Sequence, residues 1–233
     1  MESKRMKILA VIPARIGSKT ITKKNLRMLA GKLLVQYPID LARSVKLIGR
    51  IIVSTDSEEI AAVARKCGAE VPFLRPANLS KDQTPTFPVI RHCVKFLKEK
   101  ENYEADIMAL LYPTCPLLEK DRVLEALEIL INGKANSVVS VTEDRGRFWK
   151  YKKALKTYVP FYPKGNLNRQ YYEPLWRENG AIYFSRREVV EKQNRLIDTS
   201  SVKLLVMKSE EVLDIDTEED FINAEKRICH RQK

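Results

Sequence analysis

Asp214 and Asp216 flank Ile215 near the end of the chain, and residues i and i+2 of an extended segment project their side chains to the same side. Carboxylates paired in this way can hold Mg²⁺, with Mn²⁺ as an alternative. Such an ion takes one or two carboxylates, keeps several waters and accepts phosphate oxygens. Asp216 also precedes Thr217-Glu218-Glu219-Asp220, where it could cap a helix instead. Asp214 has no such second use. Another constellation stands near the start. The apolar run Lys7–Pro13 leads into Ala14-Arg15-Ile16-Gly17-Ser18-Lys19, followed by Lys23-Lys24-Asn25. A loop at the carboxyl end of a strand, with a glycine, a hydroxyl and fixed cations at Arg15 and Lys24, can wrap a triphosphate using backbone N–H groups and positive charge. It matches neither the G-x-G-x-x-G nor the G-x-x-x-x-G-K-[ST] pattern, because one glycine precedes Gly31 here. The bland alternative is a solvated basic loop.

Elements able to position these groups are legible as short apolar runs alternating with amphipathic stretches, the pattern of parallel strands covered by helices on both faces. Strands are predicted at Lys7–Pro13, Ile51–Thr55, Asp106–Leu111, Ser137–Thr142, Ala181–Phe184 and Lys203–Met207. Helices are predicted near Val35–Lys46, Glu58–Cys67, Val89–Lys100, Arg122–Ile131 and Glu218–Arg231, with Asp56 or Ser57 as N-cap of the second. Pro38 belongs in a first turn, so the first helix is expected to start near it. The fold class is α/β, a doubly wound and mostly parallel sheet. The expected organisation is one domain over residues 1–233 with an insertion at about 143–179. That insertion breaks the pattern with Phe148, Trp149, Tyr151, Tyr158, Phe161, Tyr162, Tyr171, Tyr172 and Trp176. So much aromatic surface predicts a subunit contact, a homodimer, in preference to a bare surface loop.

Composition bounds the function classes. The 42 Lys+Arg against 30 Asp+Glu give a net charge of +12, which favours an anionic partner without choosing among nucleic acid, anionic membrane and phosphorylated metabolite. A basic stripe interleaved with base-stacking aromatics is absent from the sequence, so neither nucleic acid nor membrane is the expected partner. Cys67, Cys93, Cys115 and Cys229 are scattered without a C-x-x-C, and His92 and His230 are the available imidazoles, which supports neither a disulfide framework nor a zinc site. His92 reads as packing or surface. The apolar run Ile8–Ile12 is too short for a signal peptide or membrane span, so a soluble cytoplasmic protein is expected.

The opening loop resembles the first motif of the acylneuraminate cytidylyltransferases, also called CMP-sialic acid synthetases. Further strings agree in order: Ile52-Val53-Ser54-Thr55-Asp56, Gly68 through Pro76, Leu79-Ser80-Lys81-Asp82, Pro113-Thr114-Cys115-Pro116-Leu117, Asn179-Gly180-Ala181-Ile182-Tyr183 and Asp214-Ile215-Asp216-Thr217. The likeness runs from Ile8 to about Glu225. It implies a nucleotide-diphospho-sugar transferase type of fold, Rossmann-like, and transfer of CMP from CTP to the anomeric hydroxyl of a nonulosonic acid with release of pyrophosphate. It also implies that Arg15, Ser18 and Lys24 hold the phosphates and that Asn25, Arg75 and Thr86 contact the cytidine, with Ala14 and Asp82 completing the nucleotide set. Arg75 has an alternative use in an ion pair with Asp82 or Glu70. Tyr112, Arg169, Gln170, Arg177 and Asn179 are implied for the sugar acid, the arginines as carboxylate ligands. Arg15, Lys24 and Asp216 are implied in catalysis, Asp216 as the first candidate for general base, and Asp214 and Asp216 in metal binding.

Departures bear on the acceptor. Lys19-Thr20 replaces the family's Lys-Gly, Tyr112 stands where Gln often precedes Pro-Thr, and Leu118 replaces an Arg. A tyrosine lacks the paired donor and acceptor of an amide, which points toward a relative of sialic acid such as legionaminic or pseudaminic acid. Sister enzymes, a 3-deoxy-manno-octulosonate cytidylyltransferase or a guanylyltransferase, are the near alternatives. A basic nucleic-acid-binding module is the distant one, and it leaves the loop and the aspartates unexplained.

Overall fold

Strand β1 (Ile8–Pro13) sends alternate side chains into two cores, which is what a strand buried on both faces must do. Ile8, Ala10 and Ile12 join one cluster, while Leu9 and Val11 join the other. The computed structural model describes residues 6–161, 168–171 and 173–231. After β1 come a small hairpin of β2 (Met28–Leu29) and β3 (Lys32–Leu33), helix α1 (Gln36–Ser44), β4 (Ile48–Ser54), α2 (Glu58–Lys66), α3 (Thr86–Glu101), β5 (Ile107–Leu110) and α4 (Lys120–Asn132). The chain continues through β6 (Ser137–Asp144), a second hairpin of β7 (Trp149–Lys152) and β8 (Thr157–Pro160), β9 (Leu175–Arg186), α5 (Arg187–Glu191), β10 (Val202–Val206) and α6 (Glu218–Arg231).

The main sheet has the order β10-β6-β9-β5-β1-β4. Its strands are parallel except β9, which runs antiparallel between β5 and β6. Residues of α1, α2 and α4 fill the first core, and residues of α3 and α5 fill the second, so helices cover both faces. Leu29, Leu34, Leu117 and Ile215 pack with Phe221, Ala224 and Ile228 of α6 in a smaller third core. The α/β, mostly parallel architecture expected from the sequence is borne out. From β1 the chain crosses to β4 on one side and then returns to β5 on the other. The loops after β1 and β5 therefore part at the carboxyl ends of their strands, where open α/β sheets bind ligands.

Several elements differ from the sequence expectation. Helix α3 begins at Thr86 rather than Val89, because Pro88 falls in its first turn, where a missing N–H breaks no helical bond. Ser57, not Asp56, caps α2, its hydroxyl accepting from Ile60 N at 3.4 Å. Strand β9 starts at Leu175, well before the predicted Ala181, since exposed Leu175–Glu178 still pairs with Val141–Asp144 of β6. The β2–β3 hairpin turns at Ala30 and Gly31, both at positive φ, a turn that suits strand twist.

Candidate active site

The loop after β1 is pinned at several points. Ala14 N donates to Ser54 O at 2.9 Å, Ile16 N donates to Asp56 Oδ1 at 2.9 Å, and Asn25 Nδ2 donates to Arg15 O at 2.8 Å. Ala14 is thus a buried backbone anchor, and Asn25 is a brace beneath the loop as well as part of the cleft wall. Ser18 Oγ accepts from Ile21 N at 3.4 Å within the same turn. Lys23 takes a positive φ of 49°, and the short turn that follows places Lys24 Nζ 2.6 Å from Ile215 O and 3.5 Å from Asp216 Oδ1. Arg15 pairs with Asp82, and Lys19 Nζ lies 3.6 Å from the other Asp82 oxygen. Hydrogen bonding from Arg15, first of all, holds the Asp82 carboxyl below its ordinary pKa.

Arg15, Ser18, Lys19, Lys24, Asn25 and Asp82 line a cleft of about 320 Å³ together with Thr20, Arg75, Lys81, Thr84, Thr86, Tyr112, Thr114 and Asp216, whereas Ala14 does not border it. Arg75 follows Leu74, which bridges to Thr55 beside β4, and its backbone N donates to Thr55 O at 2.6 Å. The residue is only 6% exposed, yet Nε and Nη2 have no hydrogen-bond partner among the described residues. Both ion-pair partners suggested by the sequence are engaged elsewhere, Asp82 with Arg15 and Glu70 with Arg50. Burial lowers the Arg75 pKa, Asp56 opposes that shift, and Arg15 adds to it. A buried guanidinium in this condition calls for a ligand acceptor. At the amino end of α3, Thr86 Oγ1 accepts a hydrogen bond from Tyr112 OH at 2.8 Å.

Asp214 and Asp216 stand on either side of buried Ile215, whose N–H donates to Thr114 O at 2.9 Å. Asp216 lines the first cleft, and Asp214 lines a second cavity of about 430 Å³ with Thr142, Arg177, Glu178, Asn179, Gly180, Tyr183 and Ser209. Asp216 is not the helix cap. Thr217 Oγ1 accepts from Asp220 N at 3.2 Å, while the Asp220 carboxylate accepts from Thr217 N at 2.8 Å, a reciprocal capping box on α6. The Asp214 residue surface is open, but Oδ2 packs so closely over Gly180 that a Cβ there would come within 3.1 Å. Desolvation of that carboxylate raises its pKa, Asp216 raises it further, and a hydrogen bond from Thr114 opposes both. The two carboxylates border one cavity each, and they are the donor type that Mg²⁺ takes alongside waters and phosphate oxygens. A cluster of three or more His, Cys, Asp or Glu suited to a metal does not occur among the described residues.

A bulge shapes the second cavity. Val139 of β6 pairs with Tyr183 and Val141 pairs with Glu178, so Asn179–Ile182 is passed over opposite Ser140. Ser140 Oγ bridges the gap, donating to Asn179 Oδ1 and accepting from Ile182 N at 2.8 Å. Gly180 takes φ +81°, and Asn179 Nδ2 is buried with no hydrogen-bond partner among the described residues. Arg177 lies on the cavity wall, largely exposed, 3.8 Å from Asp144. Gln170 is exposed, its carbonyl accepting from Arg145 at 3.0 Å, and it lines neither cavity. The Arg169 side chain lies outside the described residues, as do Tyr162 and Tyr172. His92 packs edge-on to Phe73 at 4.7 Å, and Leu118 is buried in the first core, where an arginine would have no place. Sequence reasoning did not single out Lys81, Thr84, Thr114, Glu178 or Tyr183, although each stands in or beside a string that it quoted.

A family model described as "Cytidylyltransferase" matches residues 9–226. The chain is 34% identical to CMP-N,N'-diacetyllegionaminic acid synthase of Legionella pneumophila, covering 95% of this chain and 96% of the relative. It is 32% identical to pseudaminic acid cytidylyltransferase of Campylobacter jejuni, covering 93% of this chain and 94% of the relative. A solved structure of CMP:2-keto-3-deoxy-manno-octonic acid synthetase complexed with CTP superimposes with a TM-score of 0.69 at 16% identity, covering 97% of this chain and 99% of that one.

Proposed function

We propose, since the chain belongs to the cytidylyltransferase family, that it joins CMP from CTP to the anomeric hydroxyl of a nonulosonic acid of the legionaminic, pseudaminic or neuraminic type. The observation that carries this reading is Arg75, buried on the cleft wall with Nε and Nη2 lacking partners among the described residues, beside a loop that presents Arg15 and Lys24. A nucleotide supplies the acceptor atoms that the guanidinium lacks, and its phosphates can take the place of the Asp82 and Asp216 carboxylates on the loop cations.

In the proposed reaction the acceptor's anomeric oxygen attacks the α-phosphorus of CTP in line. One P–O bond forms, the bond to the bridging oxygen of the β-phosphate breaks, and pyrophosphate leaves. Arg15 and Lys24 neutralise charge on the α-phosphate and on the leaving group, a matter of positioning and electrostatics. Arg15 must exchange Asp82 for phosphate to do so. Asp216, exposed at the cleft, takes the acceptor proton. Asp214 and Asp216 would hold Mg²⁺, which when bound supplies a counter-charge for the triphosphate. The second cavity, with Arg177 and Asn179, would seat the acid; Arg169 and Gln170 belong to the same proposed set. The proposed setting of the reaction is the cytoplasm.

A homodimer is proposed on the β7–β8 hairpin, which pairs in a sheet of its own and leaves Tyr158 67% and Leu155 64% exposed beside Phe161. No helix among the described residues is long and apolar enough to cross a membrane.

The test is pyrophosphate release with each of four nucleoside triphosphates against a panel of nonulosonic acids in Mg²⁺. Release with CTP and at least one acid is expected. Indifference to CTP, or release with none of the acids, sinks the assignment.

A further inference from the structure

Tyr112 links the linings of the two cavities through one ring contact. It lines the first cleft, and its ring lies edge-on to that of Tyr183, which lines the second, with centroids 6.1 Å apart and planes at 86°. Tyr183 is itself held, its hydroxyl donating to Glu178 Oε2 at 2.9 Å. The two rings therefore touch edge to face, each with its hydroxyl anchored and each lining a different cavity.

On the first side the anchor is Thr86, 2.8 Å from the Tyr112 hydroxyl. A phenol is the stronger donor of the two hydroxyls. A threonine hydroxyl has one proton to give and lone pairs to receive with. Once Thr86 Oγ1 receives from Tyr112, its own proton is left for another acceptor, and the cleft is the space it borders. Thr86 is also the first residue of α3, so its backbone is fixed and only rotation about χ1 and of the hydroxyl remains to be set.

We infer that Tyr112 is a positioning residue for the nucleotide: its hydroxyl fixes the Thr86 hydroxyl as a hydrogen-bond donor into the cleft, and its ring, against Tyr183, walls off the acceptor cavity. The inference rests on the reading of the first cleft as the nucleotide site. It assigns the hydroxyl of Tyr112 to nucleotide affinity and the ring to acceptor affinity, two functions that substitution can separate.

The experiment is a double-mutant cycle on the full-length protein, with Kd for CTP by calorimetry and KM for the acceptor by turnover. Tyr112→Phe keeps the ring and loses the hydrogen bond. It is expected to weaken CTP by about three- to tenfold, the worth of one neutral hydrogen bond, and to leave acceptor KM near the parent value. Thr86→Val is expected to weaken CTP at least as much, and adding Tyr112→Phe to it should cost nothing further. Tyr112→Leu, which removes the ring, should raise acceptor KM as well. Thermal melts confirm that each variant is folded. The inference is overturned if Tyr112→Phe moves acceptor KM and not CTP affinity, or if the two single losses add. Should the parent protein bind a different nucleoside triphosphate in place of CTP, the proposed substrate falls, and the same cycle on that nucleotide still decides the role of Tyr112.

Discussion

Burying a guanidinium without partners for its N–H groups costs free energy that the rest of the fold must offset, and Arg75 keeps Nε and Nη2 in that condition. Arg75→Met retains a long side chain and removes the buried charge together with the two N–H groups that lack partners among the described residues. The variant is therefore expected to melt no lower than the parent in the absence of ligand, and to bind CTP about ten- to a hundredfold more weakly, the worth of hydrogen bonds from a charged group. Calorimetric melts and titrations with CTP check the two halves separately. Asp214 makes a parallel case through pH. Its carboxyl is raised above the ordinary value by desolvation first and by Asp216 next. A carboxyl raised on folding favours the folded state while protonated, so its contribution is full below the unfolded carboxylate pKa and is lost as pH rises through the folded value. Asp214→Asn should melt with the parent at low pH and above it near neutrality, while turnover is lost. Equal melting at both pH values would contradict the desolvation, and near-normal activity would contradict the metal role.

The cap of α6 concerns an element. Thr217 and Asp220 satisfy one another's backbone N–H groups and leave Asp216 free for the cleft. Thr217→Ala should cost about 1 kcal/mol and lower the melting temperature by about 2–4 °C for a chain of this size. No change on scanning calorimetry would mean that the box is not formed. The same segment indicates what was legible in advance. Arg15, Ser18, Lys24, Asn25, Arg75, Asp82, Thr86, Tyr112 and Asp216 share one cleft; Arg15, Ser18, Lys24 and Asp216 were legible from residue type and spacing, and the others only through the resemblance of their strings to the family's. The expected parallel strands and the helix from Glu218 to Arg231 are likewise present. Less legible were features made by long-range pairing. The bulge at Asn179–Ile182 exists because Ser140, from another strand, spans it. The start of α3 was masked by Pro88, and the contact of Tyr112 with Thr86 joins residues 26 positions apart.

For the whole molecule, the aromatic hairpin and the charge make the governing terms. If the exposed face of β7 and β8 is a subunit contact, sedimentation velocity of the parent should report a dimer, and Tyr158→Ser with Phe161→Ser should shift it toward monomer with the melting transition retained. A monomeric parent at micromolar concentration would remove that proposal and leave the cleft unaffected. The net charge of +12 suits a site that must gather a triphosphate and an acid together. The central claim is that the two cavities on either side of Ile215 serve one reaction. Mass spectrometry of the products formed from CTP, a legionaminic or pseudaminic acid and Mg²⁺ tests it most directly. The account predicts a species with the mass of the CMP-linked acid, accumulating in step with pyrophosphate. CTP consumed to free CMP with no linked acid, or left intact with every acid offered, would contradict it.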